Sequence, residues 1–108
     1  MKKKIFAVVL SFSLIGAFVV ACYAKDSGPS GEALFKEHCA VCHPNGENIV
    51  NPKFTLHGKD LRAHGITKAS QIVGKMRNPG PGMTKFDKNT ISDKDAMKIA
   101  DYVLKTFK

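Results

Sequence analysis

The chain has 108 residues, a net charge of +8 from 17 basic and nine acidic side chains, and 44% hydrophobic residues. That length holds one small domain and no more. Its charges are scattered among one another, and no basic cluster interleaved with aromatics marks a nucleic-acid surface, so nucleic acid is not expected as a partner.

Lys2, Lys3 and Lys4 precede an apolar run from Ile5 to Ala21, the layout of a secretory signal. The run lies at the short limit for spanning a bilayer, and small residues follow it, so cleavage is expected over retention as an anchor. Two cuts compete. "VVAC", Val19 to Cys22, resembles the lipobox of bacterial lipoproteins, which would remove a signal peptide of residues 1–21 and lipidate Cys22. The alternative is a cut after Ala24, in "CYA", leaving a soluble exported form. Either cut removes the three lysines and no acid, which lowers the net charge to +5.

The mature chain is small for a purely hydrophobic core and needs a staple such as a disulfide, a metal or a cofactor. Its cysteines are Cys22, Cys39 and Cys42. A bridge between the last two would close too short a loop to restrain a fold, whereas a buried cofactor would do much more.

Residues 22–30, with "KDSGPSG", read as a flexible linker. The domain follows at 31–108. "GEALFKEHCAVC" predicts a first helix, with Gly31, Phe35, Cys39 and Cys42 on one face, and Pro44 to Gly46 stopping it. "ENIVNPKF" reads as irregular. "TLHGKDLRAHG" predicts a short helix capped by Thr55 and ended by Gly65. "TKASQIVGKMR" predicts another, capped by Thr67, with an apolar stripe of Ala69, Ile72, Val73 and Met76. "NPGPG" ends it, and "MTKFDKNT" is irregular. The last helix starts at a capping box of Ser92 and Asp95 and buries Ala96, Ile99, Ala100, Val103 and Phe107. The fold class is all-α: three to five short helices joined by loops long enough to wrap something.

"CAVCH", Cys39 to His43, carries the chemistry. Structural zinc wants four ligands, generally from two paired clusters; there is no second cysteine pair, and the spacing of His57 and His64 fits poorly. A thioredoxin-like dithiol needs a βαβ context, which an all-α chain lacks. Cys-x-x-Cys-His is the attachment signature of c-type haem. Cys39 and Cys42 would form thioethers to the two vinyl groups, and His43 would reach the iron, with a neighbouring carbonyl or water holding its other ring nitrogen. Such haem is attached outside the bacterial cytoplasm, in agreement with the leader.

The sixth iron ligand separates a carrier from an enzyme. Its candidates are Met76, Met83, Met97, His38, His57 and His64. Met76 and Met97 fall in helices and are expected as core filling. His38, His57 and His64 are expected at the surface. Met83 follows "NPGPG" in a stretch free of helical constraint, from which a thioether can bend toward iron. Methionine–histidine ligation raises the potential and saturates the metal.

From Gly31 to Phe107 the chain resembles the class I c-type cytochromes, especially the monohaem cytochrome c6 type and its lipoprotein relatives. "GEALFKEHCAVCH" matches the opening helix, "GENIV" with Thr55 and Leu56 the loop lining the haem, "RNPGPGMTKF" the methionine-ligand loop, and "IADYV" the final helix. The resemblance implies a cytochrome c fold around one covalent haem c, Met83 as the axial ligand opposite His43, and a crossing of the first and last helices near Gly31, Phe35 and Tyr102. Thr84 departs from the pattern, which often has proline there.

The function implied is one-electron transfer between redox proteins in the bacterial cell envelope, without catalysis. The chain would work as a monomer with transient redox partners, as a lipoprotein on the periplasmic side of a membrane or as a soluble periplasmic protein. Two alternatives stand beside it: a haem enzyme or gas sensor with an open sixth position, and a dedicated haem subunit of a respiratory complex.

Overall fold

The computed structural model describes residues 28–108. The leader, its two candidate cuts and Cys22 lie outside the described residues. Among the described residues four helices form, α1 (Gly31–His38), α2 (Gly58–Ala63), α3 (Ala69–Arg77) and α4 (Asp93–Thr106), with a short 3-10 turn at Pro44–Gly46. Among the described residues there is no strand, and no helix is long and apolar enough to cross a membrane.

Ser30 caps α1 by accepting a hydrogen bond from the Ala33 N–H (3.1 Å). The helix ends at His38 rather than at Cys42, where the sequence pattern puts its end. The backbone of Cys39 has already left helical geometry (φ −120°, ψ −35°). The Cys42 and His43 N–H groups both donate to the Cys39 carbonyl, at 3.1 and 2.9 Å. "CAVCH" is therefore its own hydrogen-bonded turn, and the two thiols are set by that turn rather than by a helix face. Pro44 opens the 3-10 turn, and Asn45 and Gly46 leave it in the left-handed region (φ 53° and 79°).

Thr55 does not cap α2. It lies two residues before the cap position, His57: its hydroxyl accepts from the His57 N–H and donates to the Asp60 carboxylate, bracing the entry to the helix. Gly65 does end the segment. Its N–H donates to the Arg62 carbonyl and that of Ile66 to the Leu61 carbonyl (3.0 and 2.8 Å), with Gly65 at φ 75°. This paired left-handed cap is one that glycine makes without a Cβ clash. The expected cap at Thr67 is also displaced. The Gln71 side-chain carbonyl reaches back and accepts from the N–H groups of both Thr67 and Lys68 (2.8 and 3.0 Å).

On α3, Ile72 and Met76 are buried, with Ala69 and Val73 packed at the edge. Ser92 caps α4 as its sequence predicts, accepting from the Asp95 N–H at 3.1 Å. Ala96, Ile99, Ala100 and Val103 form the buried face.

Helix α4 packs on both α1 and α3. It meets α1 where the resemblance implies. A Cβ on Gly31 would collide with the Lys98 carbonyl oxygen and come within 3.1 Å of the Tyr102 Cβ. The Phe35 ring stands 5.3 Å from Tyr102 and 5.4 Å from Phe107. Phe107 in turn closes the far end. Its ring covers Gly46, and its carbonyl accepts from the Gly58 N–H at 2.6 Å.

Arg77, at the end of α3, ties the following loop to α4. Its Nη1 donates to the Phe86 carbonyl (3.1 Å) and its Nη2 to Asp93 (2.9 Å). The Arg77 hydrogen bond, helped by Lys88 at 3.1 Å, holds the Asp93 carboxyl below its ordinary value of 3.8.

This packing makes three outcomes testable. Gly31→Ala lowers unfolding stability by about 1–3 kcal/mol in denaturant titrations, because the added methyl overpacks the crossing. Gly74→Ala, in α3 with nothing within 4 Å of its would-be Cβ, raises it by about 0.5–1 kcal/mol. The Asp93 contribution is present above the unfolded carboxyl pKa and is lost as pH falls through the lower folded value. Wild type is thus more stable than Asp93→Asn at pH 7, and the two converge in thermal melts taken well below pH 3.8.

Candidate functional site

The helices and the irregular segments between them enclose a cavity of about 520 Å³. That size suits a ligand larger than an ion. Its wall is mainly apolar, with Phe35, Leu61, Ile72, Met76, Ile99 and Val103 all bordering it. These are core residues whose outer sides pack on the helices. Cys39, Cys42 and His43 border the same cavity, and so does Met83. The four site residues read from the sequence, 44 positions apart at their extremes, are brought to one place.

The turn that carries the motif also orients His43. The Nδ1–H donates to the Glu47 carbonyl at 2.9 Å, an assignment that leaves Nε2 with its lone pair for a metal. Both Cys39 and Cys42 are free thiols. Burial pushes the Cys39 thiol up to about 11. Thiol–disulfide exchange wants the opposite shift, toward a stable thiolate.

Met83 lies on the loop after α3, 37% exposed. Pro79 and Pro81 give that loop no N–H to share. Gly82 takes φ 88°, and a Cβ there would stand 2.9 Å from Val50, so the loop passes close against the opposite rim. At its far end the Phe86 N–H donates to the Met76 carbonyl (2.9 Å).

The remaining candidates fall out differently from one another. Met76 is buried as expected and also borders the cavity. Met97 is 40% exposed and is not core filling, because it lies beyond the buried face of α4. His38 is not a surface residue. It is partly buried, borders the cavity and meets the Phe86 ring edge-on with centroids 6.1 Å apart. The signal for this was its position three residues after Phe35, on the same helix edge. His57 pairs with Glu47 at 3.0 Å. His64 is exposed but stacks on Phe54 (4.4 Å) at the cavity rim. Among the described residues no three His, Cys, Asp or Glu side chains converge on one metal ion.

The donor set therefore suits one group: an apolar body the size of the cavity, two thiols to bond it, and an imidazole with a free Nε2 for its metal. A covalently attached haem fits these residues.

Comparison with known proteins agrees. The profile of the family described as Cytochrome C oxidase, cbb3-type, subunit III matches residues 26–103. Cytochrome c6 of Synechocystis is 42% identical over 74 residues, which cover 68% of this chain but only 61% of that protein. Cytochrome c6 of Gloeothece citriformis is 32% identical over 105 residues, 96% of this chain and 94% of that protein. Among solved structures, outer membrane cytochrome F (OmcF) of Geobacter sulfurreducens superposes with a TM-score of 0.71 at 43% identity, covering 73% of this chain and all of that one. Cytochrome c6C of Synechococcus gives 0.67 at 27% identity, over 71% and 93% of the two chains. Motif, cavity and relatives agree, and the chain belongs to the class I c-type cytochromes of the cytochrome c6 type, which carry one covalent haem c.

Proposed function

We propose that this protein is a one-electron carrier between redox proteins in the bacterial cell envelope. The observation that carries the reading is the convergence of Cys39, Cys42, His43 and Met83 on one apolar cavity, with His43 already held through Nδ1. Bound haem supplies a ferric/ferrous couple. Cys39 and Cys42 would hold it through thioethers, and His43 and Met83 would hold its iron. A soft thioether donor would favour ferrous iron, and a metal held by both side chains would need no ligand exchange with each electron.

Val50 and Phe54 are exposed at the cavity border, and Val41 is exposed beside Cys42. Lys75 also borders the cavity, and Lys53 adjoins Phe54. Small apolar areas edged by cations suit brief docking of an acidic redox partner, weakened by salt. The chain is monomeric in this reading. Residues 1–21 are its leader, Cys22 is its lipid anchor, 22–30 its tether and 31–108 its haem domain. The first helix cap at Ser30 supports a domain that starts at 31. The likeness to outer membrane cytochrome F supports an envelope location. A second reading, a dedicated haem subunit of a respiratory complex, draws on the match to the cbb3-type subunit III family. Purification with a stable partner complex would favour it.

Two measurements test the carrier. Ferrous wild type binds carbon monoxide slowly, and Met83→Ala accelerates binding by about tenfold or more in flash or stopped-flow kinetics. Rapid binding by wild type would instead indicate an open sixth position and a sensor or enzyme. Intact mass of the native protein gives one haem on an acylated chain starting at Cys22. A chain starting at Lys25 would overturn the lipid anchor.

A further inference from the structure

We propose that Arg77 is a positioning residue for the sixth-ligand loop: by joining the Phe86 carbonyl to Asp93 it sets where Met83 stands at the cavity. The inference rests on Met83 being the axial ligand.

The loop from Asn78 to Phe86 has few bonds of its own. Its prolines offer no donors, and its internal backbone bond, from the Met83 N–H to the Gly80 carbonyl, is long at 3.4 Å. Its position is therefore decided at its ends. The near end continues from α3. At the far end, three residues past Met83, both backbone polar groups of Phe86 are held by the last turn of α3. The N–H goes to the Met76 carbonyl (2.9 Å), and the carbonyl accepts from Arg77 Nη1 (3.1 Å).

The second arm of the guanidinium fixes this clamp in space. Nη2 donates to Asp93 Oδ1 at 2.9 Å, on the first turn of α4, and Lys88 holds the other carboxylate oxygen at 3.1 Å. The Arg77 side chain is only 20% exposed, and its Nε is fully buried without a partner. A solvated ion pair would not sacrifice a donor in this way; the fork is being held where the two acceptors need it. The Phe86 ring also packs against His38, one residue before Cys39. The clamp thus relates the methionine loop to both the haem-attachment turn and α4.

A plain structural staple between α3 and α4 would stabilise the fold without touching the iron. The two roles separate in the holoprotein. Arg77→Ala should lose most of the ferric sulfur-to-iron charge-transfer band and bind carbon monoxide about tenfold faster than wild type. Arg77→Lys should recover part of both, since an ammonium can reach one acceptor but not bridge two. Leu34→Ala, buried on α1 and not on the cavity wall, serves as a destabilised control and should keep the band. Retention of the band and of slow carbon monoxide binding in Arg77→Ala, while Met83→Ala loses both, would overturn the positioning role alone. Identical spectra for wild type and Met83→Ala would overturn the ligand assignment, and the positioning role with it. Equal loss in Leu34→Ala and Arg77→Ala would reduce Arg77 to a staple.

Discussion

The apolar core of this domain is a shell. Of its buried residues, Phe35, Leu61, Ile72, Met76, Ile99 and Val103 also border the cavity, so their inner sides have no protein side chain to meet. A domain of this size has little apolar surface to spare, and a shell stabilises weakly unless its centre is occupied. The bound haem is then as much the core as the side chains are. Covalent attachment, proposed at Cys39 and Cys42, suits that role, because a core that could dissociate would take the fold with it.

The secondary elements arrange themselves around this need. Helices α1 and α4 meet at Gly31, where the missing side chain lets the backbones approach, and their aromatic cluster seals one side of the shell. Helices α2 and α3 are short and amphipathic and contribute chiefly Leu61, Ile72 and Met76. The irregular segments do the remaining work. Asn48 accepts from the N–H groups of Val50 and Asn51 and donates to the Phe54 carbonyl, so the loop before α2 is internally bonded rather than slack.

Much of this was legible in the residues themselves. The stripe on α3, the buried face and Ser92 cap of α4, the glycine stop at Gly65 and the "CAVCH" motif each follow from local patterns. What failed was decided by single contacts. Thr55 and Thr67 had the right chemistry for caps, but Asp60 and Gln71 offered better partners nearby. Periodicity carried α1 on to Cys42, yet the Cys39 carbonyl drew the next N–H groups into a turn. His38 looked like a surface residue because its partner, Phe86, lies far along the chain. Arg77 gave no signal, since its two acceptors are a backbone carbonyl and a carboxylate that only the fold brings together.

The crossing at Gly31 has a kinetic consequence. It joins the first helix of the domain to the last, so the contact closes nearly the whole domain into one loop. Such closure is entropically slow when nothing holds the intervening chain. The attachment turn sits next to α1, and a haem bonded there gives α4 and the methionine loop a surface to condense on before they find α1. With the haem bonded at the proposed turn, near the start of the domain, the topology favours α4 closing last.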